Sequence, residues 1–239
     1  MKFLAIETAT RQLGVALIED ERLLASYEVL AQYPHAVELP AAVTRVLTEA
    51  HATWNEVTAM VVDIGPGSFT GLRIGLAFVK ALCFSSKIPV VGVASLDVLA
   101  AGLPLSPHPI CPILDAKQRN VYAAVYGLQA GRPARRTDYL LGPLRDVLPA
   151  MEGSVIVLGD GVALYHEQIL ARWPDAHVAP TECWFPRAAT LARLGRERFL
   201  EGHRDDPGRL VPLYLYPQDC QIRSPSRPTS ILPTLPTRV

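Results

Sequence analysis

The second half of the chain repeats the first, and this limits the fold more than any other feature of the sequence. "LAIETATRQLGVAL", from Leu4, and "PILDAKQRNVYAAV", from Pro112, align without gaps. In each, an apolar run ends in an acid (Glu7 or Asp115), a polar turn carries an arginine at the same offset (Arg11 or Arg119), and a second apolar run follows. Further on, "VVDIGPG" (Val61–Gly67) matches "VIVLGDG" (Val155–Gly161), both reading as strands that end in Gly-x-Gly before a helix. Two matches in the same order imply a duplicated α/β unit, each copy a mixed sheet flanked by helices. The strand-end turns of both copies are then expected to face one shared cleft, where ligands of open α/β folds sit.

The first copy reads as β-β-β-α-β-α-β-α. Phe3–Glu7, Leu13–Ile18 and Leu23–Val29 form an antiparallel meander. A helix over His35–His51 follows, with Leu39, Val43, Val46, Leu47 and Ala50 at helical spacing. Pro40 is expected to end its first turn or kink it. Then come a strand Ala59–Ile64, a helix Ser68–Ser85, a strand Val90–Ala94 and a helix Ser95–Ala101. The proline-rich "LPLSPHP" (Leu103–Pro109) is the expected boundary between a first domain, 1–107, and a smaller second domain, 108–223. A helix Arg187–Gly202 closes the chain or crosses back to the first domain. Residues 224–239, rich in Pro, Ser and Thr, read as a disordered tail.

Of 239 residues, 49% are apolar and 19% charged, which suits a globular chain. Lys+Arg and Asp+Glu balance at 23 each, which argues against independent grip on RNA phosphates. The start, "MKFLAIETAT", has no signal-peptide pattern, no apolar run reads as a membrane span, and a cytoplasmic location is expected. The four cysteines show no CxxC spacing and the six histidines no i, i+4 pair or HExxH, so no metal site is expected. No Gly-x-Ser-x-Gly elbow marks a serine hydrolase.

The turn Gly65, Pro66, Gly67, Ser68, Phe69, Thr70 resembles a phosphate loop but fits neither common nucleotide motif. Leu72, not lysine, follows Gly71, and Thr70 stands where GxGxxG needs its third glycine. What remains is a strand, a turn, and Ser68 or Thr70 as helix cap. Gly67, Gly71 and Gly75 recur every four residues, so one side of the helix can approach a neighbour closely, although its free N–H groups could also draw an anion. Arg73 either is solvated or pairs with an acid or a partner chain. Glu7 reads as an acid bonded to its own turn, since "ETAT" lacks the glycine of a phosphate hairpin. On helix 35–51 the charges Glu38, Arg45 and Glu49 lie in one narrow stripe, leaving Val37, Ala41 and Thr44 on a weakly polar face suited to a partner.

"GPGSFTGLRIG" (Gly65–Gly75) resembles the signature of the TsaB (YeaZ-type) proteins, supported by "AIETAT", by His35 with "ELP", by "IPVVGVASLDVLA" and by "LDAKQRNVYAAVY". The resemblance runs to about Tyr216 and is stronger in the first half. It implies the duplicated actin/Hsp70-like fold (ASKHA, RNase H-like) and a non-catalytic role in forming N6-threonylcarbamoyladenosine (t6A) at position 37 of tRNAs reading ANN codons. It further implies a heterodimer with a catalytic TsaD-type subunit through the first domain's helices, a TsaE-type ATPase as a further partner, tRNA reached only through the complex, and a possible homodimer. Partner-facing positions are then Val37, Leu39, Val43 and Val46 on one helix and Gly71, Arg73 and Gly75 on the next. No catalytic or metal-binding residue and no intrinsic cofactor are expected, a nucleotide only at the complex interface. TsaD-type chains carry two metal-binding histidines in "HLEGH", and the matching "SLDVL" (Ser95–Leu99) has serine and leucine there. The alternative is an active ATP- or metal-dependent enzyme of the same fold, a kinase or metallopeptidase.

Overall fold

The structure, a computed structural model, describes residues 1–30, 35–103, 106–129, 131–148 and 153–216. In the first half, β1 (Lys2–Glu7), β2 (Gln12–Glu19) and β3 (Arg22–Leu30) form the antiparallel meander. α1 (His35–Glu49), β4 (Val57–Gly65), α2 (Phe69–Ser86), β5 (Val90–Ala94) and α3 (Ser95–Ala101) follow. Every element expected in this half forms, with ends within two residues of those read from the sequence. The sheet order is β3-β2-β1-β4-β5, with β1, β4 and β5 parallel. β1 and β2 are buried along nearly their whole length because helices cover both faces, which explains their unbroken apolar runs.

The second half contains β6 (Ile110–Lys117), β7 (Asn120–Ala123), β8 (Tyr126–Gln129), β9 (Arg132–Arg135), β10 (Leu140–Pro143), α4 (Leu144–Val147), β11 (Val155–Leu158), α5 (Gly161–Arg172), β12 (Ala176–Val178) and α6 (Ala188–Leu200). Its order is β10-β7-β6-β11-β12, with β6, β11 and β12 parallel, so the two sheets share one plan. The β8–β9 hairpin is an addition without counterpart in the first half. This is the duplicated actin-like fold.

The first sheet is sandwiched. On one face Leu39, Val43 and Val46 of α1 and Leu76, Val79 and Cys83 of α2 pack on Leu4, Ile6, Leu13 and Met60. On the other face Leu191 and Ala192 of α6 pack on Phe3, Ala5, Val61 and Val91. The final helix therefore crosses back, and the chain does it twice. Beyond α6, Asp205 N–H donates to the Val90 carbonyl (2.9 Å) and Leu213 N–H to the Ile64 carbonyl (2.7 Å). α6 and residues 205–213, which fall within the expected second domain of 108–223, thus pack on the first sheet, the crossing back that was one of the two readings of the last helix. On the sheet's rear face α3 of the first half contributes Val98, and Leu191 and Ala192 of α6 bury the rest of the apolar surface. The tail, 224–239, and part of the expected boundary, residues 104–105, lie outside the described residues.

Two further expectations change. Pro40 lies inside α1 without ending it. The carbonyl it leaves unbonded, that of Ala36, is on an exposed residue and can meet water. α2 is also long and apolar enough, with mean hydropathy 1.3 over 18 residues, to cross a bilayer by composition, contrary to the reading that no run is. Here one side of it is built into the first core.

α2 starts at an N-cap, Ser68, whose hydroxyl accepts from Gly71 N–H (3.2 Å), and ends at Lys87 in the left-handed region (φ 58°). A Cβ at Gly67 would overlap the Ala9 carbonyl oxygen, one at Gly71 the Thr8 carbonyl oxygen, and one at Gly75 the Thr8 hydroxyl. The three glycines thus seat α2 on the β1–β2 turn. Gly71→Ala is expected to lower stability by about 1–2 kcal/mol, because overpacking against fixed backbone outweighs the helix propensity gained. Urea denaturation measures it; a gain in stability would mean that the seat is loose.

Candidate functional site

Four strand-end turns meet between the halves, as the duplication predicts: β1–β2, β4–α2, β6–β7 and β11–α5. They line a cleft of about 880 Å³ with Thr10, Ser68, Asp115, Lys117 and Asp160 among its polar groups. Phe69, Leu72, Tyr122 and the strap Leu213–Tyr216 supply apolar walls. The strap bridges the cleft. Leu213 is bonded to β4, while the Tyr216 hydroxyl donates to the Ala116 carbonyl (2.8 Å) and accepts from Asn120 Nδ2 (3.2 Å).

On the second-half wall, Asp115 N–H donates to Asp160 Oδ1 (3.0 Å), and the Asp115 carboxylate accepts from Lys117 N–H (2.9 Å) and pairs with Lys117 Nζ. Burial holds the Asp160 carboxyl above its usual range. Lys117, Gln118 and Arg119 all have φ between 51° and 65°, a conformation that hairpins of this kind normally give to Asn or Gly. Gly159 (φ 107°) belongs to the echo turn, and a Cβ there would overlap the Ile113 carbonyl. The Gly-x-Gly turns of both halves therefore serve the same purpose, letting a helix start close to the first strand of its unit.

Beneath the first-half wall lies a carboxyl pair. Glu7 Oε1 accepts from Ala9 N–H (2.7 Å), so the acid is bonded to its own turn. Asp63 Oδ1 accepts from Gly65 N–H (2.7 Å) and from the Ser95 hydroxyl (2.6 Å). Both side chains are fully buried, and Glu7 Oε2 and Asp63 Oδ2 have no donor among the described residues. Burial, then the neighbouring Asp63, pushes Glu7 well above the carboxylate range, and burial raises Asp63 also. Burial and the proximity of the two acids disfavour charging both, so the pair holds on to protons at a pH where exposed carboxyls have lost them.

Asp97 on α3 is a hub that sequence reasoning missed. It accepts from the hydroxyls of Tyr126 (2.7 Å) and Tyr139 (2.9 Å) and pairs with Arg198 of α6 (2.9 Å). Its partners are 29, 42 and 101 residues away, so no local pattern could have revealed it. Ser95 and Leu99, which the resemblance sets against the TsaD-type histidines, are both buried, the first bonded to Asp63 and the second in the core around β6. Among the described residues no three His, Cys, Asp or Glu side chains converge to hold a metal.

The expected partner-facing residues divide. Leu39, Val43 and Val46 are at most 2% exposed, and Gly71 and Gly75 are buried against Thr8. These five are corrected to interior positions, because the apolar stripe of α1 and the glycine side of α2 are spent on the chain's own sheet and turn. A charge at Val43 or Gly75 would break the core instead of testing a surface. Val37 (69% exposed) and Arg73 are at the surface, with Ala41 and Thr44 on α1 and Ala77, Ala81 and Phe84 on α2.

Residues 29–196 match the protein-family model described as TsaD, tRNA N6-adenosine threonylcarbamoyltransferase. The chain is 31% identical over 219 residues to the tRNA threonylcarbamoyladenosine biosynthesis protein TsaB of Bacillus subtilis, covering 90% of this chain and 94% of that one. It belongs to the TsaB (YeaZ) branch of the TsaD-type family. TsaB of Escherichia coli is 27% identical over 230 residues, again 90% of this chain and 94% of the relative. The crystal structure of YeaZ from Pseudomonas aeruginosa superposes with a TM-score of 0.78 at 28% identity, over 90% of this chain and 99% of that one. A second Pseudomonas aeruginosa structure, described as similar to peptidase YeaZ, gives 0.80 at 28% identity with the same coverage.

The carboxyl pair gives this TsaB-family chain a pH signature. Both folded values are raised, so the folded state binds more protons than the unfolded chain, and stability falls as pH rises above about 4, the unfolded carboxyl range. Asp63→Asn keeps the acceptor for Ser95 and offers Glu7 an amide donor. The melting temperature of this variant is expected to fall less between pH 5 and 9 than that of the natural chain (~1 kcal/mol per unit of raised pKa relieved). An unaltered pH profile would place the proton elsewhere.

Proposed function

We propose that this chain is a non-catalytic subunit in the formation of t6A at position 37 of tRNAs reading ANN codons, and that it docks through α1 and α2 on a TsaD-type catalytic chain. The tRNA threonylcarbamoyladenosine biosynthesis role printed for its relatives supports the pathway. The observation that carries the docking is the outward face of α2. The helix is as apolar as a membrane span, yet only a third of it is buried. Arg73, Ala77, Ala81 and Phe84 present a stripe on which the other cation, half-buried Lys80, is bonded to the Leu210 carbonyl, and Val37, Ala41 and Thr44 of α1 flank it. A surface of small and apolar side chains this long suits a partner's helices. Without that partner, a second copy of the chain can use the same face. A TsaE-type ATPase and tRNA join through the complex, in the cytoplasm.

The non-catalytic role is supported by Ser95 and Leu99, since leucine offers a metal no donor and the serine hydroxyl is already engaged. The interlobe cleft favours a second reading, an ATP- or metal-dependent enzyme of the same fold. Calorimetry of the isolated chain with ATP and Mg²⁺ separates the two: heat of binding together with turnover supports the enzyme.

Reconstituted t6A formation is expected to need this chain alongside the TsaD-type and TsaE-type proteins. Ala77→Glu is expected to weaken the heterodimer about tenfold or more, ~1.4 kcal/mol or above, and to lower the modification rate in step. Retained affinity would move the interface away from α2.

A further inference from the structure

One face of the first sheet carries three elements in order: α1 over β2 and β3, α2 over β1 and β4, and the returning segment 205–213 beside β4 and β5. This segment runs antiparallel to α2. Lys80 Nζ donates to the Leu210 carbonyl (3.1 Å) near one end, and Arg73 Nε donates to the Tyr214 hydroxyl (3.1 Å) near the other. This segment and the strap that follows it therefore extend the layer beyond α2, and the exposed Val211 (63%) and Tyr214 (46%) continue the surface of α2.

Arg73 is held where that surface begins. Its guanidinium carbon lies 3.8 Å from the centroid of the Phe69 ring, and Phe69 and Tyr214 stand 5.6 Å apart at 37°. Phe69 is 43% exposed and Arg73 is exposed. The ring contact and the single Nε bond fix the plane of the guanidinium, while its two Nη groups have no acceptor among the described residues. By contrast, Arg132, Arg187 and Arg198 each meet a carboxylate within the chain. A guanidinium oriented in advance by aromatic rings, with its fork unused, is a receptor for a carboxylate. Aromatic and arginine side chains clustered in this way are also the common anchors of protein interfaces.

We propose that Phe69, Arg73 and Tyr214 form an acid-reading anchor at one end of the docking face, and that it takes an Asp or Glu side chain of the TsaD-type partner. This rests on the docking reading above and adds two things to it: the chemistry of the contact, and the strap as part of the surface. Sequence alone does not link Tyr214 to Arg73, which is 141 residues away.

The test is the affinity of the full-length chain for its TsaD-type partner, measured by calorimetry at low and high salt, with equal melting temperatures as the check on folding. Arg73→Gln is expected to weaken binding about tenfold or more and to flatten its salt dependence. Arg73→Lys should lose nearly as much, because an ammonium cannot replace the bidentate fork. Tyr214→Ala should weaken binding, and Tyr214→Phe less so, since the ring remains. Ala77→Glu serves as the reference. If it weakens binding while Arg73→Gln and Tyr214→Ala leave affinity and salt dependence unchanged, the acid-reading anchor is overturned and docking through α2 stands. If Ala77→Glu also has no effect, docking through α2 falls and takes the anchor with it.

Discussion

Ser68 donates its backbone N–H to the Ala9 carbonyl (2.6 Å), and this bond pins the start of α2 to the β1–β2 turn. Three glycine sides then let the helix lie against Thr8 and Ala9, where any side chain would collide with backbone or a buried hydroxyl. The consequences spread outward. With α2 seated this low, Leu72, Leu76, Val79 and Cys83 reach the sheet, and the remaining face, from Arg73 to Phe84, is left outside. The same seat brings Phe69 to the mouth of the cleft, within reach of the strap.

The halves are joined by polar bonds as well as by apolar packing. Asp97 collects two tyrosine hydroxyls from the second half and an arginine from α6. Glu28 on the edge strand β3 accepts from Ala188 N–H (3.0 Å) at the start of α6 and pairs with Arg187. Tyr216 closes the opposite side. Each carboxylate meets donors that satisfy it, which is the condition for burying part of a charge without a large penalty. The Glu7–Asp63 pair limits the penalty differently, because burial pushes both carboxyls toward their neutral form.

Much of the fold was legible because its signals are local. Alternation and apolar runs mark β1 to β5, and helical spacing marks α1 and α2. The repeated Gly-x-Gly reports a helix starting close to a strand in both halves, because only glycine tolerates the approach. The candidate site was less legible. Helical spacing shows which residues of α1 share a face but not how deep that face lies. Leu39, Val43 and Val46 thus read equally well as a docking stripe and as core. The glycines of α2 marked close packing but not its partner, which is the chain's own turn.

The duplicated α/β unit, the order of its elements, the capped start of α2 and the family can be read from the chain alone, since each rests on periodicity, turn chemistry or a contiguous motif. The tertiary structure decided which face of each helix stays outside, where α6 and the strap return, and which groups meet across the cleft. Those outcomes depend on contacts between residues as far apart as Arg73 and Tyr214 or Asp97 and Arg198. Such contacts are set by the packing of whole layers, and no local pattern encodes them.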